Sequence, residues 1–65
     1  MDLINNLNGF EEPVWSDLHG ANGAYVARSL DGITEAIAMP ENGGFACWIV
    51  SASNGETIDY KFIKV

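Results

Sequence analysis

Hydrophobic and polar positions change period along these 65 residues, and each change predicts an element. Over residues 2–8, DLINNLN, the residues Leu3, Ile4 and Leu7 fall on one side of one or two helical turns. Asp2 stands near the positive N-terminal end and Gly9 acts as the stop. Three Asn residues weaken this segment, because their side chains compete for backbone hydrogen bonds, so it depends on tertiary packing. Pro13 suits the first position of a short helix running to about His19, with Val14, Trp15 and Leu18 on one side and Gly20 beyond it. Asn22-Gly23 marks a turn, and Tyr25 and Val26 make residues 24–28 a strand.

Residues 29–39, SLDGITEAIAM, fit two periods. A helix places Leu30, Ile33, Ala36 and Ile37 together and leaves Asp31, Thr34, Glu35 and Ala38 outside, with Ser29 as N-cap and Pro40 and Asn42-Gly43-Gly44 as the stop. A strand puts Glu35 on the same face as Ile33 and Ile37, so the helix is preferred, although Gly32 costs it roughly 1 kcal/mol relative to Ala. Further on, FACWIVSAS and ETIDYKFIKV flank Asn54-Gly55, the pair suited to the two positive φ angles of a type I′ turn, which predicts a β-hairpin. Phe45 to Ala52 is apolar on both faces, as in a central strand covered on both sides. Ile58, Tyr60 and Phe62 alternate with Asp59 and Lys61, as in a strand with one wet face.

These elements predict a single α+β domain over residues 1–65. It has an antiparallel sheet of at least three strands with a C-terminal β-hairpin, one amphipathic helix packed on it, and short N-terminal helical segments. A chain of this size buries only about 60% of the surface that it exposes when unfolded, so it folds alone or as a small homo-oligomer with little stability to spare. An apolar content of 48%, with two Trp, two Tyr and three Phe, separates it from disordered acidic chains.

Charge sharpens the functional reading. Nine carboxylates face three basic side chains, for a net charge of −6, and Lys61 and Lys64 stand together near the C-terminus. Residues 1–60 therefore set all nine acids against Arg28 alone. Such a surface is repelled by anionic lipid and by nucleic acid, which argues against direct binding to either and in favour of a protein with a basic face. One cysteine, Cys47, excludes an intramolecular disulfide and a thiolate metal cluster, and suits a reducing cytoplasm. The N-terminal residues lack a signal peptide's basic and apolar regions, and no stretch approaches the roughly 18 apolar residues of a spanning helix, so the chain is expected to be soluble and cytoplasmic.

No residue set spells out a reaction. His19 lies near Asp17 and Ser16 but has no nucleophile elbow or oxyanion loop beside it, and reads as a surface or capping residue. Cys47 sits in mid-strand between Ala46 and Trp48, where a thiol behaves as a small inert hydrophobe. Glu11-Glu12 lacks the converging oxygens of a metal loop, and the Gly-rich turns lack the lysine of a phosphate loop. No catalytic residue, metal or cofactor is expected. Asp31 and Glu35, at i and i+4 of the expected helix, form the most suggestive pair, because closely spaced like charges on one rigid face imitate a phosphate backbone. Trp15 stands equally as core or as an interface anchor, and Trp48 as core.

Taken as a whole, the short, acidic, single-domain chain resembles the small phage-encoded anti-CRISPR proteins. Its MDLINNLNGFEEPVW start and NGGFACWIVSASNGETIDYKFIKV end resemble a type I-C inhibitor. The resemblance is one of size, charge and general sequence, since these families share no motif. It implies inhibition of a type I CRISPR effector complex (Cascade) in the host bacterial cytoplasm, by an acidic DNA mimic that occupies the basic surface reserved for target DNA or its PAM. On that reading Glu11, Glu12, Asp17, Asp31, Glu35, Glu41 and Trp15 form the partner-binding surface. Two rivals share parts of it. An immunity protein or antitoxin masking a basic nuclease uses the same acids, whereas a small structural interaction module uses Trp15, Phe10 and an exposed strand edge.

Overall fold

The computed structural model describes residues 3, 6–19 and 22–64. Among them the elements are five strands: β1 (Val14–Ser16), β2 (Ala24–Arg28), β3 (Thr34–Glu41), β4 (Gly44–Ser51) and β5 (Thr57–Lys64). They form one antiparallel sheet in strict chain order, β1-β2-β3-β4-β5. The fold is therefore all-β, and the expected α+β class with an amphipathic helix is overturned.

The largest correction falls on residues 29–39, which form a turn and most of β3. Three local hydrogen bonds shape the turn. The Asp31 carboxylate accepts from the Ser29 hydroxyl at 2.6 Å and from the Ile33 N–H at 3.0 Å, and Ser29 Oγ accepts from the Thr34 N–H at 3.0 Å. Ser and Asp side chains that take up backbone donors in this way compete with helix formation. Beyond the turn, β3 pairs along both edges, with β2 and with β4. A short isolated helix is marginal by comparison. Glu35 does share a face with Ile37, but it stands directly opposite Arg28, with Arg28 Nη2 and Glu35 Oε2 4.0 Å apart.

The helix expected over residues 13–19 is instead β1 and the turn after it. Pro13 drives the preceding residue toward extended backbone, and Val14 and Trp15 favour strands, so these residues pair with β2 through Val14↔Val26 and Trp15↔Tyr25. Strand 24–28 and the C-terminal hairpin are found where they were expected. The hairpin turn differs. Among described non-Gly residues none has positive φ, and only Gly55 (φ 75°) is left-handed there, so Asn54-Gly55 is not a type I′ pair. The loop is longer, closed by the Ser51 N–H to the Glu56 carbonyl at 2.8 Å, with Asn54 Oδ1 accepting from the Glu56 N–H at 2.8 Å.

One face of the sheet is covered by the N-terminal strap. The helical turns expected over residues 2–8 lie partly outside the described residues, but Leu3 and Leu7 are buried against Ala27, Ala36, Ala38, Phe45, Cys47 and Ile63. Phe10, Tyr25 and Ile49 pack at the margin of this core. The strap then joins the sheet, with a Phe10↔Ser29 bridge and the Glu11 N–H donating to the Arg28 carbonyl at 2.8 Å. At the other side Lys61 Nζ donates to the Asn6 carbonyl at 2.9 Å. The β5 alternation is thus inverted from expectation, because Asp59 and Lys61 share the strap face with Ile63, and Tyr60 and Phe62 point to the other.

Candidate interaction surface

A meander fixes where loops go. Odd and even connections emerge at opposite ends of the strands, so residues far apart in the chain collect at one end. The end formed by the start of β1, the β2–β3 turn and the β4–β5 turn gathers Glu11, Glu12, Asp31, Glu35 and Glu56. Arg28 is the one basic side chain placed there, since Lys61 and Lys64 lie in the second half of β5. The opposite end holds Asp17, which follows β1, and Glu41, which closes β3.

The seven residues expected as one surface are therefore split. Glu11, Glu12, Asp31 and Glu35 come together, although Asp31 and Glu35 sit on a turn and a strand instead of one helix face. Asp17 and Glu41 are at the far end. Trp15 is on β1, half exposed on the strap face, where its ring meets Tyr25 edge-on at 5.0 Å, and Tyr25 in turn meets Phe45 at 5.8 Å. Its indole N–H donates to Asp17 Oδ1 at 2.7 Å, so Asp17 is engaged locally. Glu56 was missed by sequence reasoning, although the Asn54-Gly55 turn signal beside it was the clue to its position.

Electrostatics separates these acids into two kinds. The Ser29 hydroxyl, followed by the Ile33 amide, holds the Asp31 carboxyl below its usual value of 3.8 by stabilising the anion. Asp31 is thus both part of the acidic end and the acceptor that shapes its turn. Glu11, Glu12 and Glu56 are exposed, with side chains accessible to a partner.

The remaining candidate chemistry is structural. His19 Nδ1 and Ser16 Oγ lie 3.1 Å apart in the β1–β2 connection, on the same short loop as Leu18. Cys47 is fully buried, and desolvation raises its thiol pKa, with Lys61 opposing. No cluster of three or more His, Cys, Asp or Glu able to hold a metal occurs among the described residues. No helix among them is long and apolar enough to cross a membrane. Comparison of the chain with protein-family models, curated proteins and solved structures finds no match.

Proposed function

We propose that this protein is an acidic inhibitor that binds a protein partner in the bacterial cytoplasm and occupies its basic nucleic-acid-binding surface. The type I CRISPR effector to which the sequence resemblance points is the first partner to test. One observation carries the reading: the meander brings Glu11, Glu12, Asp31, Glu35 and Glu56 to a single end of the sheet. Five strands at their usual spacing span about 19 Å between the outer two, which gives one carboxylate per roughly 4 Å of width. A single DNA strand offers one phosphate per roughly 3.4 Å of rise, so the two charge densities are comparable. Attraction of this kind speeds association and is screened by salt.

Charge reversal at Glu11, Glu12 and Glu56 tests the proposal, because these side chains are exposed and Asp31 is left in place to hold its turn. The triple variant is expected to keep the fold while losing at least tenfold in affinity for the effector, and wild-type affinity is expected to fall steeply as salt is raised. Target-DNA binding by the effector that stays blocked by the triple variant would refute the mechanism. An immunity protein presents the same acidic end, and capture of a nuclease instead of an effector would favour that reading.

A further inference from the structure

The face of the sheet opposite the strap is apolar where a solvated sheet face is usually polar. Following the register, Val14, Val26, Ile37, Trp48 and Tyr60 form one row across all five strands. Met39, Ala46 and Phe62 extend it on the same face, and the Trp48 and Tyr60 rings are 5.1 Å apart. Among the described residues no strand lies over this row: Val14 is 68% exposed, Tyr60 50% and Phe62 46%, whereas Val26, Ile37, Met39 and Trp48 are half-buried and Ala46 is buried.

We propose that this open face is a homodimer interface, on which a second copy of the chain lays the same face to form a β-sandwich. Charge is the first argument. The chain carries −6, yet the charged residues that alternation places on this face are matched, Arg28 with Glu35 and Lys64 with Glu41. The excess acid lies on the strap face and on the loops, so this face carries no net charge, and an Arg28 flanks each Glu35 where the two copies meet.

Side-chain size is the second. The central row grades from Val14 and Val26 on β1 and β2, through Ile37 on β3, to Trp48 and Tyr60 on β4 and β5. A two-fold axis running along β3 sets the small side of one copy on the aromatic side of the other, as interdigitated cores require, and brings Ile37 onto Ile37 of the second copy. Area is the third. Strands of this length, with five at their usual spacing, give a footprint of roughly 500 Å² per copy. The pair then buries about 1,000 Å² in total, at the lower threshold for a biological interface and in the range of a weak, concentration-dependent dimer.

Sedimentation equilibrium over a concentration series should show the mass double from the 7.0 kDa of one chain. In a Trp15→Phe background, Trp48 emission should move to shorter wavelength over the same range. Ile37→Lys and Ile37→Glu, each placing like charges on the axis, should stay monomeric alone and recover the doubled mass when mixed. A wild-type chain that keeps single-chain mass and unshifted Trp48 emission up to its solubility limit overturns the proposal. So does a folded Ile37→Lys variant that still doubles in mass, which would place the contact on a strand edge. If the Ile37 variants fail to fold, the wild-type mass and the Trp48 emission decide.

Discussion

Asp31 shows how one side chain serves two ends. Its carboxylate closes the β2–β3 turn through Ser29 and Ile33, and it also adds negative charge to the end of the sheet. Because its folded pKa is depressed, the stabilisation is fully present above the ordinary aspartate value and is lost as pH falls through the lower, folded value. Asp31→Ala should therefore lower the melting temperature most at neutral pH, with the gap to wild type closing below about pH 4. Parallel thermal melts of the two proteins from pH 7 to pH 2 read this directly, and a gap that stays constant would show that the charge contributes nothing. Cys47 illustrates the reverse case, a thiol kept protonated by burial and therefore chemically quiet.

At the scale of elements, close approach between strands sets a different constraint. A Cβ placed on Gly44 would run into the Ile63 carbonyl of the paired strand. Gly44→Ala should consequently cost about 1–3 kcal/mol, the usual range for forcing atoms into filled space. It should also speed amide exchange at the end of β5, as read by denaturant titration and hydrogen exchange. The elements differ in how far the sequence announced them. Residues 24–28 and the hairpin of β4 and β5 were legible because β-rich runs met Gly-containing turns there. Residues 30–39 were not, because Ile33, Ala36 and Ile37 satisfy both periods, and the deciding contacts, Arg28 opposite Glu35 and the pairing with β4, are non-local. For the same reason Asp31 and Glu35 were singled out for a helical geometry that does not exist, with the Glu11-Glu12 loop only as a neighbour. The run 45–52 predicts a strand covered on both sides, and on the face away from the strap Ala46 and Val50 are buried while Trp48 is half-buried.

Across the whole molecule, the strap is the component that gives the sheet a core. Leu7 is 5% exposed and packs with Leu3 over Ala27, Ala36, Ala38, Phe45, Cys47 and Ile63. Leu7→Ala should cost about 2–5 kcal/mol, a large share of the stability of a domain this small. Stopped-flow measurement should place most of that loss in faster unfolding, for a reason that lies in chain order. Every strand pairs with its neighbour in sequence, so the meander can zip from one hairpin to the next with little loop closure to overcome. The strap is different, since the bond from Lys61 to the Asn6 carbonyl spans 55 residues and joins the start of the chain to its last strand. On a ribosome the strap emerges well before β5, yet it cannot complete this contact until β5 has followed it out.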